Sequence, residues 1–309
     1  MLGSTLILVN PAARSGKASE VAAQTASVLD QLKAHSPQEL TSYSFHYTIA
    51  PHDATSFIQQ EGAQYDTIIA VGGDGIVNEV INGLMAIPAA NRPRFGLIPC
   101  GNGDDFARSI HMDRNPTQSL QQFATRTLTP KRIDVGRANT QWFAETLSFG
   151  LDAAIALGTQ ELRTKTKRTG TSLYVQCGID QLRNHRDIHE VTMTLDGGAP
   201  QSIACYMLAI QNGMSYGGGF KVCPQARLND GLLDICYATP PLSFMAATTL
   251  FLKAKDGKHI HDQHIHFETA KRIELSFKHA LPSQIDGEKF DDTEVVIETF
   301  PGELEVLMP

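Results

Sequence analysis

The sequence lacks any apolar run long enough to cross a bilayer. Its longest, Leu242 to Leu252, falls far short of the roughly 20 residues a spanning helix needs. The first ten residues carry no basic stretch ahead of their apolar segment, so no secretory signal is expected there. Leu6-Ile-Leu-Val9 reads instead as a buried strand. Cysteine is sparse: Cys100, Cys177, Cys205, Cys223 and Cys236 are scattered, odd in number and without CxxC spacing. That excludes a disulfide framework or a zinc ribbon and fits a reducing cytoplasm. Positive charge is also short, 26 Lys and Arg against 33 Asp and Glu, for a net charge of −7. Nucleic acid is therefore not expected as a partner, and any attraction for phosphate must be local. There is no internal repeat and no low-complexity segment.

What remains is an ordinary globular composition, 42% apolar and 19% charged, over 309 residues, enough for two domains. The first part alternates strand and helix signals, the pattern of a parallel sheet covered by helices. Strands are expected at Leu6–Val9, Tyr43–Ile49, Thr67–Val71 and Phe95–Pro99, with helices at Ala18–Leu32, Ala54–Gln60 and after Asp74. Beyond Lys131-Arg-Ile-Asp-Val-Gly136 the signals become short strands, at Trp142–Phe149, His189–Leu195, Ser202–Gln211, Leu232–Tyr237 and Arg272–Phe277. Helical insertions are expected at Leu151–Asn184 and Leu242–Lys255. The signals give an α/β domain, residues 1–134, followed by a mostly antiparallel β domain, residues 135–293. The segment 294–309 has strand character and is free to return to the first domain.

The most informative stretch is Asp66 to Leu84, centred on Gly72-Gly73-Asp74-Gly75. A buried strand enters the turn, and an amphipathic helix with Ile76, Val77, Val80, Ile81 and Leu84 leaves it. Glycines allow close backbone approach to a ligand, and the helix start offers free N–H groups to an anion. Asp74 alone would repel that anion, so phosphate together with a divalent cation is the simplest reading. The junction Val9 to Lys17 looks only superficially like a phosphate loop. It reads as an ordinary βα loop with solvated Arg14 and Lys17, or else as a phosphate cradle of Asn10, Arg14, Ser15 and the Gly16 backbone. It departs from the Walker pattern at Pro11 and Ala18.

Three further turns carry polar groups. Gly101-Asn102-Gly103-Asp104-Asp105 opens a helix, with an aspartate suited to capping it. Asp230 in Asn-Asp-Gly231 is either a plain turn residue or a hard-cation ligand. Asp286 and Glu288 flank Gly287 in a hairpin and suit general-base work. The histidines 259, 261, 264 and 266 read as a solvated strand edge, because carboxylate chemistry suits Mg²⁺ rather than the metals imidazole prefers. The basic run Arg163, Lys165, Lys167 and Arg168 reads as a solvated face, or as a contact for an anionic membrane.

The ordered set Gly-Gly-Asp-Gly, Pro-x-Gly, Asp-Phe-Ala, Asn-Asp-Gly and Asp-Gly-Glu resembles the soluble diacylglycerol-kinase-like lipid kinases. These include bacterial diacylglycerol kinases and sphingosine kinase relatives. The resemblance runs from Asn10 to Glu288. It implies that the fold class is an α/β nucleotide-binding domain plus a β-sandwich domain. It also implies an active site in a cleft between the two domains, with ATP and Mg²⁺ as cofactors. By resemblance, Asn10, Thr48, Gly72, Gly73, Asp74, Gly75, Ile76, Val77, Asn78 and Asn102 bind the nucleotide. Asp286 takes the proton from a lipid hydroxyl, and Asp74, Asp230 and Glu288 form an acidic network, so Asp286, Glu288 and Asp74 are the catalytic set. Asp230 with the carbonyls of Arg227 and Leu232 holds a structural Mg²⁺.

Three positions depart from that family pattern, which has Thr at Ile76, Thr at Asn102 and Asn at Asp104. The lost hydroxyl at Ile76 removes a phosphate hydrogen bond worth about 1–3 kcal/mol, and Asp104 adds negative charge near the nucleotide. The expected activity is phosphorylation of diacylglycerol or a related lipid at a membrane surface. The protein is expected to be cytoplasmic, peripheral at the inner membrane face, without a transmembrane segment and compatible with a homodimer. Two rival readings are a nucleotide-binding regulatory protein with impaired catalysis and a soluble-substrate kinase of the NAD-kinase type.

Overall fold

The structure, a computed structural model, describes residues 2–166, 168 and 170–309, with the backbone alone at Ser15. The Ser15 hydroxyl and Lys167, both singled out above, lie outside the described residues. The chain divides into two compact units, residues 1–133 with 302–309, and residues 134–301.

The first unit holds β1 (Gly3–Val9), α1 (Lys17–His35), β2 (Leu40–Tyr47), α2 (Asp53–Glu61) and β3 (Thr67–Gly72). It continues with α3 (Asp74–Leu84), β4 (Arg94–Pro99), α4 (Asp105–Ser109) and α5 (Pro116–Thr125). β5 (Thr129–Ala138) then carries the chain into the second unit. Strands pair in parallel in the order β2-β1-β3-β4. β3 is buried at every residue, which is why it reads as a continuous apolar run rather than an alternation. α3 buries the face Ile76, Val77, Val80, Ile81 and Leu84, as its spacing dictates.

The second unit contains β6 (Gln141–Phe143), β7 (Thr146–Gly150), α6 (Leu151–Thr166), α7 (Thr171–Asn184), β8 (His189–Leu195) and β9 (Gln201–Cys205). β10 (Met207–Gln211), β11 (Leu233–Ala238), α8 (Phe244–Ala254), β12 (Ile265–Ala270) and β13 (Arg272–Phe277) follow. The chain closes with β14 (Ser283–Ile285), β15 (Glu288–Lys289) and β16 (Glu294–Met308). One antiparallel sheet runs β12-β11-β10-β7-β14-β15. In the other, β8 pairs with β9 and β13, and β13 with the first half of β16. A shared core including Phe143, Phe149, Val191, Ile235, Leu275 and Ile297 draws on both sheets, giving a β-sandwich. β16 is divided between the units: Glu294 to Pro301 belongs to the sandwich, and Gly302 onward to the first unit, where Val306 pairs with Phe95 of β4.

Four expectations need correction. Trp142–Phe149 is two strands rather than one, because the amides of Ala144 and Glu145 turn toward the Asp286 carboxylate. Ser202–Gln211 divides at Tyr206 into β9 and β10, which lie in different sheets. Leu151–Asn184 is two helices, the second beginning after Gly170 at φ +97. His259 is not on a solvated edge but 3% exposed, with Nε2 3.1 Å from the Val222 carbonyl.

Candidate active site

In the first unit the glycine turns after β3 and β4 lie backbone to backbone. A Cβ on Gly73 would stand 2.7 Å from Gly101 Cα, and one on Gly101 would stand 2.5 Å from Gly73 Cα. The Cys100 amide donates to the Gly72 carbonyl at 2.7 Å. Asp74, at the start of α3, accepts from the amides of Asp105 at 2.8 Å and Phe106 at 3.2 Å. It therefore ties the start of α3 to the start of α4. Burial raises its pKa, against the pull of those amides. Asp104, at φ +51, accepts from the Gly101 amide at 2.8 Å. Burial first, then the Asp74 charge, pushes Asp104 up to about 6.

Asn10 follows β1, and its Oδ1 accepts from the Ala12 amide at 3.0 Å. Thr48 follows β2, its amide donating to the Val9 carbonyl at 2.9 Å. Asn10, Thr48, Gly72 and Gly73 thus all sit at the carboxyl ends of neighbouring parallel strands, the usual ligand edge of such a sheet. Gly75 is exposed and Asn78 half-buried. Ile76 and Val77 are each 2% exposed, so both pack in the core, and the Val77 amide is bonded to the Gly73 carbonyl at 3.3 Å. The departure at Ile76 is thus a packing choice, its Cγ2 filling the space where a Cβ on Gly72 would stand. Asp104 is 6% exposed, bonds the Gly101 amide, and also lines the polar recess beside these turns.

Beside these turns lies a polar recess of about 530 Å³, lined among others by Arg14, Asn102, Asp113, Arg114 and Asn115. Sequence reasoning missed Arg114, because an isolated arginine before a helix carries no pattern.

In the second unit Asp286 occupies the tight turn between β14 and β15 at φ +46. One carboxylate oxygen accepts from Ala144 N–H at 2.8 Å; the other accepts from Glu145 at 3.1 Å and Thr146 at 2.8 Å. The Asp286 amide returns a bond to the Thr146 carbonyl at 2.8 Å. Three successive amides thereby fix the rotamer of this carboxylate. Glu288, two residues on, is exposed.

Asp230 is exposed, and its Oδ1 accepts from the Leu232 amide at 3.1 Å. The turn is anchored by Asp134, 2% exposed, which accepts from the Gly231 amide at 2.7 Å. The Asp134 amide donates to the Leu228 carbonyl at 2.6 Å. Asp134 was not singled out from sequence, since its role depends on a contact 97 residues away. Among the described residues no three His, Cys, Asp or Glu side chains gather to hold a metal. One carboxylate with two peptide carbonyls on an anchored turn is nonetheless a hard-oxygen set, the donor chemistry that Mg²⁺ takes.

The residues matched by known families follow the same division. Residues 4–138 match the diacylglycerol kinase catalytic domain, and residues 145–308, more than half of the chain, match the YegS C-terminal NAD kinase beta sandwich-like domain. A diacylglycerol kinase of Bacillus subtilis is 32% identical over 252 residues, covering 79% of this chain and 78% of that protein. The chain belongs to the diacylglycerol kinase and YegS-like lipid kinase family. A YegS-like lipid kinase of Chromohalobacter salexigens is 30% identical, over 72% of this chain and 69% of that one.

Membership makes this family member a phosphotransferase with an alcohol acceptor. A diacylglycerol kinase from Bacillus anthracis shares the fold at a TM-score of 0.80 and 23% identity, covering all of this chain and 97% of that one. An NAD kinase from Archaeoglobus fulgidus in complex with ATP shares it more distantly, at a TM-score of 0.52 and 13% identity over 99% and 92% of the two chains. Among the described residues no helix is long and apolar enough to cross a membrane.

Proposed function

We propose that the protein transfers the γ-phosphate of ATP to the hydroxyl of diacylglycerol or a related lipid, with a divalent cation, at a membrane surface. The observation that carries this reading is the Asp286 carboxylate, held by three amides in the turn between β14 and β15. A base fixed this way loses no rotamer entropy when it meets the acceptor hydroxyl. Asp286 takes the hydroxyl proton as the oxygen attacks the γ-phosphorus, and ADP leaves. Phosphoryl transfer asks the protein mainly for positioning and charge neutralisation.

In this reading the nucleotide lies on Asn10, Thr48, the Gly72–Asn78 turn and Asn102. Arg14 and Arg114, at the polar recess, add positive charge for phosphate oxygens. Asp230 with the Arg227 and Leu232 carbonyls would hold Mg²⁺, which steadies the turn and supplies positive charge. Glu288 and Asp74 complete the acidic set.

The lipid assignment is supported by a cavity of about 90 Å³ inside the second unit, with mostly apolar walls. Ile155 of α6, Tyr174 of α7, and Ala247, Leu250 and Phe251 of α8 line it. The apolar helix expected at Leu242–Lys255 is therefore not only core. Such a cavity is several times what one water needs and stays dry when its lining is apolar. Its largely apolar surface suits an alkyl segment, with Asp152, Arg186 and His259 among the polar groups at the wall.

The test is transfer of labelled phosphate from ATP to a panel of lipids. Asp286→Asn keeps the oxygen that two of the three amides need but sets an NH₂ against the Ala144 N–H or its neighbours. It is expected to lower turnover by about 10²–10⁴-fold while the protein stays folded, less stable by about 1–3 kcal/mol. Full activity in that variant would overturn the assignment of the base.

A further inference from the structure

One wall of the apolar cavity carries chemistry that lipid binding does not need. Cys236, in the middle of β11, and His259 both line it, and each is almost fully buried, at 1% and 3% exposed. His259 Nε2 lies 3.1 Å from the Val222 carbonyl, which can only accept, so Nε2 carries the hydrogen and donates. The tautomer leaves a lone pair on Nδ1, which makes no conventional hydrogen bond and acts on the Cys236 thiol. Cys223, also 1% exposed, sits in the same cluster with its thiol against that of Cys236 and 3.9 Å from the Asp234 carbonyl.

The two thiols are driven apart. The hydrogen bond with Cys223 comes first, and His259 adds to it, bringing Cys236 down to about 7 in spite of its burial. Burial first, then the bond to Cys236 and its charge, push Cys223 well up, and burial raises Cys205 to about 12. Cys100 and Cys177 are raised as well. A thiolate beside a neutral thiol, with a base within reach, is the arrangement that reacts with peroxides and is then resolved.

We propose that Cys236 is a peroxide-reactive site, with His259 as its base and Cys223 as its resolving partner. The His259 imidazole takes the Cys236 proton, and the thiolate attacks one peroxide oxygen. The O–O bond breaks, and the departing oxygen leaves as water or alcohol with the proton from His259. Cys236 is then a sulfenic acid. The Cys223 sulfur attacks it, an S–S bond forms, and the sulfenic oxygen leaves as water with the Cys223 proton. The peroxide is reduced and the two thiols are oxidised to a disulfide. That bond would fix the loop of Cys223 against β11 and stiffen the cavity wall. The consequence for turnover rests on the reading of the cavity as the acyl-chain site, whereas the chemistry at Cys236 does not.

The test uses the full chain and hydrogen peroxide, followed by alkylation of free thiols. Trypsin cuts after Lys221, Arg227 and Lys253, so Cys223 and Cys236 fall on separate peptides. The expected product is a Cys223–Cys236 cross-linked pair, with Cys100, Cys177 and Cys205 alkylated. Cys236 is expected to be consumed at least about tenfold faster than Cys205. Cys223→Ser should trap the sulfenic acid at Cys236, and Cys236→Ser should abolish the cross-link. His259→Gln should slow the loss of Cys236 while leaving the cross-link as the end product. Recovery of both cysteines alkylated, or equal rates for Cys236 and Cys205, would overturn the proposal. If the cross-link forms but lipid phosphorylation is unchanged, the peroxide site stands and the acyl-chain reading of the cavity falls.

Discussion

At Asp104 a carboxylate is held on a glycine amide in the left-handed region, beside a second carboxylate, where an asparagine would keep the bond without the charge. Because the folded protein holds this proton more tightly than the unfolded chain, it binds more protons between about pH 4 and pH 6. Stability therefore falls as pH rises through that window, and the penalty is complete above it. Asp104→Asn is expected to raise stability at pH 7.5 by at most about 3 kcal/mol, with the gain shrinking as pH falls from 6 toward 4. Denaturant midpoints of both proteins across that range measure it; a gain that persists at pH 4 would show that charge is not the cause. An aspartate after Gly101-Asn-Gly103 reads from sequence as a charge near a ligand, and the structure adds that one of its oxygens turns back to Gly101 while the residue lines the recess.

At the scale of elements, the paired turns after β3 and β4 depend on two glycines for different reasons than the third. Gly101 and Gly73 approach so closely that a Cβ on either meets the other's backbone below 3.0 Å, while a Cβ on Gly75 meets nothing within 4 Å. Gly101→Ala is expected to cost about 1–3 kcal/mol in chemical denaturation and to lower ATP affinity through the displaced turn. Gly75→Ala should leave stability unchanged or raise it by up to about 1 kcal/mol. Any loss of ATP affinity in that variant then reports contact with the nucleotide itself. An undiminished affinity would mean the nucleotide does not approach Gly75. The strands and helices of this unit were legible because apolar runs and 3.6-residue spacing are local signals. The change of sheet at Tyr206 was not, because the apolar run Ile203 to Ile210 continues unbroken from β9 into β10. The amide clamp on Asp286 was equally hidden, since its donors lie 140 to 142 residues earlier and any residue can supply a backbone N–H.

For the whole molecule, each unit has its own core, and the chain passes between them along β5 and again along β16. The last strand segment is tied into the first unit by specific groups. Arg92 pairs with Glu303 at 2.8 Å and Arg94 with Glu305 at 2.7 Å, with Leu304 and Val306 fully buried. Deletion of residues 302–309 is expected to expose the first unit to limited proteolysis while leaving 134–301 protected, as read by the masses of the surviving fragments. Loss of both regions at equal rates would show that the units do not unfold separately.

The division of β16 also sets an order of events during synthesis. The first unit is begun by residues that leave the ribosome before the sandwich does but needs others that leave after it. Its sheet must wait, one strand short beside β4, while the whole β-sandwich is translated. The sandwich meanwhile already has every strand segment it needs by Pro301. Of the two units, the one begun earlier is therefore the one that can finish folding last.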